Sequence, residues 1–332
     1  MNDADTFRDV LPGEGAEVGA YRVVRLLGKG GMGAVYEVEH VRLGVRYAMK
    51  VFAFGGKNAE FLTKRFFAEG RLLARLSHPR IVRVYDMDVT DRFAWFTMDY
   101  VEGPDGQPKT LASVPQAGIL PEETVAGWYE DVRTALAAVH AVGVVHRDVK
   151  LENILVGKDG RAVLSDFGIS RIVDERLRSE IAVTRTMVAS DASMKVVLGT
   201  AAYLAPEVRA GGQPTAASDL YALGIAFFRL LTGLWYEPGP HAFDLLAPFD
   251  RRWKPVFASL LASDPSARRA EGLRPAPRRR LRKGLLAAGF AAVLAAGLAA
   301  AGAYCLWQGG EGERRLCDED VDETFAIPES VD

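Results

Sequence analysis

The sequence predicts an α+β protein whose folded domain is followed by a single membrane-spanning helix. Three observations carry this prediction. Strand-like patterns bracket a cluster of glycines near the N-terminus, a helical pattern follows over residues 60–76, and an uncharged run of 24 residues occupies 284–307. Composition sets compatible bounds: 332 residues, 49% of them hydrophobic and 25% charged, supply ample material for a core. A net charge of −2 argues against coating a polyanion, so no nucleic-acid partner is expected. Two cysteines, Cys305 and Cys317, exclude a disulfide scaffold and leave the first 300 residues without a thiol.

Residues 1–20 read as an N-terminal extension without a signal peptide, because Asp3, Asp5, Arg8 and Asp9 interrupt any apolar run. Residues 21–27 alternate as a strand and run into Gly28, Lys29, Gly30, Gly31, Met32 and Gly33, after which residues 34–38 form another strand pattern. A dinucleotide-binding turn needs a helix directly after its glycines; here a strand follows, which makes the loop a hairpin tip. Backbone without side chains can lie close over phosphates. Residues 47–50 close the next strand with Lys50, a point charge that can reach phosphate oxygens. The 60–76 segment places Phe61, Leu62, Phe66, Leu72, Leu73 and Leu76 at helical spacing, with Glu69 among them as a partner for Lys50. The five histidines, His40, His78, His140, His146 and His241, make no metal-binding spacing.

The most informative stretch is 145–170. It contains His146-Arg147-Asp148-Val149-Lys150-Leu151-Glu152-Asn153, then Asp166-Phe167-Gly168. With the glycine hairpin, Lys50 and a later Ala205-Pro206-Glu207, the chain resembles the bacterial membrane-anchored form of the eukaryotic-like (Hanks-type) serine/threonine protein kinases over residues 21–270. That resemblance implies a bilobal protein-kinase fold: a small β-rich N-lobe (21–98), a hinge (99–103) and a helical C-lobe (104–270), with ATP between the lobes. It implies that Asp148 takes the proton of the substrate hydroxyl, that Lys150 stabilises the transferring phosphate, and that Lys50, fixed by Glu69, contacts the α- and β-phosphates. Asn153 and Asp166 would ligate Mg²⁺, with Mn²⁺ as a substitute. Leu27, Val35, Ala48 and Leu155 would enclose the nucleotide, and the backbone of Asp99 and Val101 would pair with the adenine edge.

By the same resemblance the segment up to Tyr203 is an activation loop, with Thr184, Thr186 and Thr200 as regulatory candidates; Thr200 matches the position that contacts the catalytic Asp and Lys. Asp219 matches a buried aspartate that braces the catalytic loop, and Glu207 with Arg268 matches an ion pair tying the loop to the last helix. Three departures stand out. Leu151 replaces the usual proline, Met49 precedes the lysine, and only residues 233–263 separate the Asp219 helix from Asp264, where the family carries a longer stretch with a substrate-docking helix. The expected function is transfer of the γ-phosphoryl of Mg-ATP to protein serine and threonine hydroxyls, with activation-loop autophosphorylation. The alternative is an ATP-binding pseudokinase scaffold. A small-molecule kinase is disfavoured by Lys150 and by the protein-substrate shelf that ends at Ala205-Pro206-Glu207.

Residues 271–283 read as a basic, proline-containing linker. As a helix, 284–307 is about 36 Å long, enough to cross a hydrocarbon core of about 30 Å. Eight Lys/Arg against one acid in 268–283, and nine acids against Arg314 and Arg315 in 308–332, place the kinase domain in the cytoplasm and a short acidic tail outside an inner cell membrane. Tyr304 and Trp307 suit an interfacial belt. The tail is expected to carry no external sensor domain. Ala288, Ala292, Ala296 and Ala300 form a small-residue stripe that a homodimer would use.

Overall fold

A computed structural model describes residues 11–29, 33–53, 59–90, 92–114, 120–167 and 201–273; the side chains of Ala53, Ala59, Glu60, Phe61, Leu62, Arg65 and Glu69 lie outside that description. Strands β1 (Glu17–Val18), β2 (Tyr21–Lys29), β3 (Gly33–His40), β4 (Arg46–Ala53), β5 (Val84–Val89) and β6 (Phe93–Asp99) form one antiparallel sheet in the order β1-β2-β3-β4-β6-β5. Helix α1 (Ala59–Ala74) joins β4 to β5. Both faces of the sheet are covered. Tyr21, Val23, Tyr36, Val38, Met49, Val51 and Trp95 make one apolar cluster, while Ala48, Phe52, Phe96 and Met98 belong to a larger one continuous with the helical lobe. That explains why β3 alternates so weakly: Tyr36, Glu37 and Val38 are all buried.

The sheet begins before the expected domain start at 21. Gly15 N donates to Val23 O and Val23 N to Ala16 O, both at 2.9 Å, Val18 is buried, and Gly19 (φ 58°) passes so close under Trp95 that a Cβ there would meet its ring at 3.0 Å. Residues 13–20 are therefore part of the N-lobe rather than an appendage to it.

The second lobe is built on α2 (Glu122–Ala141), a two-stranded sheet of β7 (Ile154–Val156) and β8 (Ala162–Leu164), the short α3 (Pro206–Arg209), α4 (Ala216–Thr232) and α5 (Trp253–Leu260). In α2 the buried Val125, Trp128, Tyr129, Val132, Ala135, Leu136 and Val139 recur every three or four residues, one apolar stripe on an otherwise polar helix. Helix α4 is different: from Tyr221 to Phe228 every residue is buried, as befits a helix running through the core. Its ends are specified locally by a reciprocal Thr215–Ser218 capping box and by Gly233 in the left-handed conformation (φ 77°).

Between α4 and α5 the chain forms only a short 3-10 turn, Asp244–Leu246. Aromatic contacts order the rest: Tyr236 stacks on Phe243 and meets Phe228 edge-on, and Trp235 lies edge-on to Tyr203 beneath the Arg229 guanidinium. The packed chain also runs past 270, since Tyr129 donates to Glu271 O at 2.9 Å and Leu273 N donates to the Glu130 carboxylate. Among the described residues no helix is long and apolar enough to cross a membrane. The expected span 284–307 lies outside the described residues, as do 274–283 and 308–332.

Candidate active site

The register of the first sheet fixes the roof of the site. Lys50 on β4 pairs with Val35 on β3 and Phe96 on β6, and Ala48 pairs with Met98, the residue before the hinge. The glycine hairpin joins β2 to β3; Leu27, Gly28, Lys29 and Gly33 are described, whereas Gly30, Gly31 and Met32 lie outside the described residues. At Gly33 the backbone lies so close to β4 that a Cβ would sit 2.2 Å from Val51 O, so no larger residue fits without moving a strand. At the hinge, the Asp99 carboxylate accepts from Tyr85 Oη (2.7 Å) and Arg83 N (2.8 Å), which bolts the start of the hinge to β5. Burial and this bond to a carboxylate push the Tyr85 phenol up to about 12, the hydrogen bond contributing most. Val101, whose amide has no backbone partner among the described residues, and Leu155 on β7 are both half-buried at the cleft.

The floor is the loop after α2. Asp148 is held from two sides: Lys150 Nζ lies 2.8 Å from Asp148 Oδ2, and Asn153 Nδ2 donates to the same oxygen at 2.8 Å and to Asp148 O at 2.8 Å. One neighbour is a cation and the other a neutral amide donor, and together they fix the orientation of the Asp148 carboxyl group. Asp166 follows β8, and Lys50 Nζ reaches across from the roof to 2.8 Å from Asp166 Oδ1. Among the described residues Arg147 (φ 68°) and Asp166 (φ 59°) are the non-glycine residues with positive φ, both in the segments that carry the candidate site; such strain persists only where the surroundings enforce it.

Those surroundings are visible. Asp219, at the start of α4 and almost fully buried, accepts from His146 N (2.7 Å) and Arg147 N (2.8 Å), with His140 Nε2 at 2.9 Å. His146 accepts from Asp148 N at Nδ1 (3.3 Å) and reaches Ser165 O with Nε2 (3.0 Å), which assigns it the neutral Nε2–H tautomer. Complete burial lowers its pKa, against the pull of nearby Asp219 and Asp148, and its ring packs on Phe167. His146 is thus a structural tie between the Asp148 and Asp166 segments, not a base. The bracing role expected of Asp219 is met in this geometry. His140, which completes that brace, was read from the sequence only as one of five histidines outside any metal spacing; its contact with Asp219, 79 residues away, leaves no local signal.

Glu207 and Arg268 form a bidentate pair at 2.7 and 2.9 Å, with the Arg268 side chain wholly buried and also donating to Ala262 O and Ala217 O. This locks the Ala205–Glu207 shelf onto the end of the domain. Thr184, Thr186 and Thr200 lie outside the described residues. Glu69 lies on α1, but its side chain is outside the description, so its pairing with Lys50 is not among the contacts seen.

The residues present fit a divalent cation. Asp166 Oδ1 is buried and accepts no hydrogen bond despite its proximity to Lys50, and the Asn153 amide nitrogen is committed to Asp148, leaving its carbonyl oxygen as the donor. One carboxylate and one amide oxygen suit Mg²⁺, an ion bound through one or two carboxylates together with substrate phosphates. Held there, Mg²⁺ would neutralise triphosphate charge.

Comparisons with known proteins agree with this geometry. Residues 21–242 match the protein kinase domain family. The chain is 35% identical over 244 residues to serine/threonine-protein kinase pkn2 of Myxococcus xanthus, covering 70% of this chain and 28% of that protein. It is 34% identical to serine/threonine-protein kinase PrkC of Bacillus subtilis (71% and 35% covered) and 37% identical to serine/threonine-protein kinase PknA of Mycobacterium tuberculosis (65% and 47%). It therefore spans less than half the length of these relatives. The crystal structure of the M. tuberculosis PknI kinase domain superposes with a TM-score of 0.58 at 28% identity, covering 79% of this chain and 95% of that one. On its motifs, its fold and these matches, the chain belongs to the protein kinase domain family, among the bacterial Hanks-type serine/threonine kinases.

Proposed function

We propose that the protein is a membrane-anchored serine/threonine protein kinase that transfers the γ-phosphoryl of Mg-ATP to protein hydroxyls and phosphorylates its own activation region, with Thr184 and Thr186 as acceptors. The observation that carries this reading is the Asp148 carboxylate, held 2.8 Å from both Lys150 Nζ and Asn153 Nδ2. In the reaction, Asp148 takes the proton of the acceptor hydroxyl, whose oxygen bonds to the γ-phosphorus as the bond to the β-phosphate oxygen breaks and ADP leaves. Lys150 screens the charge on the phosphoryl in transit, while Lys50 orients the remaining phosphates. Asn153 and Asp166 would hold Mg²⁺, which would neutralise charge on the phosphates. The span at 284–307 fixes the kinase domain to the cytoplasmic face of a cell membrane, a reading supported by the basic flank before it and the acidic one after it.

The test is the full chain with Mg-ATP, its phosphates mapped by mass spectrometry beside Lys50→Met and Asp148→Asn. Phosphoserine or phosphothreonine on the parent chain or on a basic protein substrate, reduced at least about a thousandfold in both variants, is expected; loss of a group that acts only in the transition state has this scale. Dominant phosphotyrosine would overturn the serine/threonine reading. Nucleotide binding without any transfer would favour the scaffold reading, for which the missing helix between α4 and α5 is the one structural argument.

A further inference from the structure

The outer edge of the roof is tied to the hinge by one side chain. Arg25, on β2 two residues ahead of Leu27, donates through Nε to Glu37 on β3 at 2.7 Å, and through Nη2 to Tyr100 Oη at 3.0 Å and Gln107 Oε1 at 2.9 Å. Its first partner is anchored: the Glu37 side chain is only 3% exposed and is also held by Arg46 Nη1 at 3.0 Å. Arg46 continues along the same edge, packing over the Tyr100 ring and pairing with Glu102 at 3.7 Å.

The far partner is anchored too. Gln107 sits in a closed turn in which Gly103 N donates to Gln107 O at 2.9 Å, Gly106 N to Gly103 O at 3.0 Å, and Gln107 N to the Asp105 carboxylate at 3.2 Å. A Cβ at Gly103 would lie 2.4 Å from Gln107 O, so the turn is available to glycine only at that position. A rigid carboxylate on the roof and an amide carried on a fixed turn beyond the hinge thus face the two ends of one guanidinium fork. A fork satisfies both at fixed angles, whereas an ammonium could serve one at a time.

We propose that Arg25 and Gln107 form a latch across the mouth of the nucleotide cleft, and that opening this latch controls the rate at which nucleotide leaves. The proposal rests on nucleotide binding between β2 and the hinge, as in the function proposed above. Separating β2 from the hinge turn, the movement that releases a nucleotide, breaks both Nη2 bonds while leaving the Glu37 pair intact. Arg25 is therefore a positioning residue for the roof rather than a catalytic one.

The test uses the full chain in detergent and its Gln107→Ala, Arg25→Lys and double variants, with Mg²⁺ and N-methylanthraniloyl-ADP as the probe. Arg25→Lys keeps a positive charge beside Glu37, and Gln107→Ala alters an exposed turn, so both should melt within a few degrees of the parent. Each single variant is expected to release the probe about 3- to 10-fold faster, the scale of one lost hydrogen bond, and the double variant no faster than the quicker single, because both remove the same contact. Hydrogen exchange of the nucleotide-free chain should quicken over residues 99–107 in both singles. Release within twofold of the parent, or additive effects in the double, overturns the latch. Should the parent bind no probe, the nucleotide reading fails by itself, and unchanged exchange over 99–107 would then overturn the latch as well.

Discussion

Asp219 illustrates how one buried charge governs a catalytic loop from outside it. Its carboxylate replaces water for the His146 and Arg147 amides, which point inward because Arg147 takes up a positive φ. Asp219→Asn removes one acceptor and leaves a buried N–H without a partner, a cost of about 1–3 kcal/mol; we expect a lower melting temperature and, because the loop carries Asp148, a kcat reduced more than the KM for ATP is raised. Arg268 is the second such case. Arg268→Ala would orphan the Glu207 carboxylate and the backbone carbonyls of Ala217, Ala262 and Ser263 at once, and a loss of about 3–5 kcal/mol is expected, read as a shift of the urea midpoint. Glu207→Gln, which keeps the shape and gives up the charge, should cost less. The Arg268 hydrogen bonds hold the Glu207 carboxyl below its usual range against the opposing effect of burial, so this pair's contribution is present above about pH 4.5 and fades only as the pH falls below it.

At the scale of elements, the sequence was legible where period and punctuation agreed. The expected strands at 21–27, 34–38 and 47–50 lie inside β2, β3 and β4, and the helical pattern of 60–76 lies over α1; burial alternates in β2, whereas β3 is covered on both faces. Asp148, Lys150, Asn153 and Asp166 were singled out through the motif resemblance, and the structure places the first three in mutual contact on one loop, with Asp166 one hairpin later. Segment 13–20 was missed for a physical reason: β1 is two residues long, and its burial depends on Trp95, far along the chain. The Arg25–Gln107 contact was hidden likewise, since 82 residues separate two ordinary surface residue types. Gly33 shows the opposite case, a motif glycine whose need is visible only in three dimensions. Gly33→Ala should force β3 away from Val51 O and displace the hairpin, raising the KM for ATP at least several-fold in a steady-state assay while leaving the helical lobe's exchange protection unchanged.

For the whole molecule, the buried imidazole inside the domain and the charge asymmetry around the proposed span each lead to a measurable outcome. Inside, the buried neutral His146 binds protons less readily folded than unfolded, so between its lowered pKa and the ordinary value near 6.5 the unfolded state takes up the extra proton. Stability should be full above that ordinary value and decline as the pH falls from about 6.5 toward 5, which melting curves across that range would register; a flat profile would show that His146 is not held neutral. At the membrane, the asymmetry of charge around 284–307 makes a directional prediction, and the chain supplies its own probe. Its two cysteines are Cys305, inside the proposed span, and Cys317, in the acidic segment after it. With the basic flank kept on the cytoplasmic side, Cys317 should react with a membrane-impermeant maleimide added to spheroplasts, Cys317→Ser should abolish that labelling, and Cys305→Ser should not. Alkaline carbonate should leave the parent chain in the membrane pellet and release a variant lacking 284–307. Labelling of Cys317 only after the membrane is permeabilised would reverse the orientation and place the acidic segment on the cytoplasmic side, while release of the parent by carbonate would remove the span altogether.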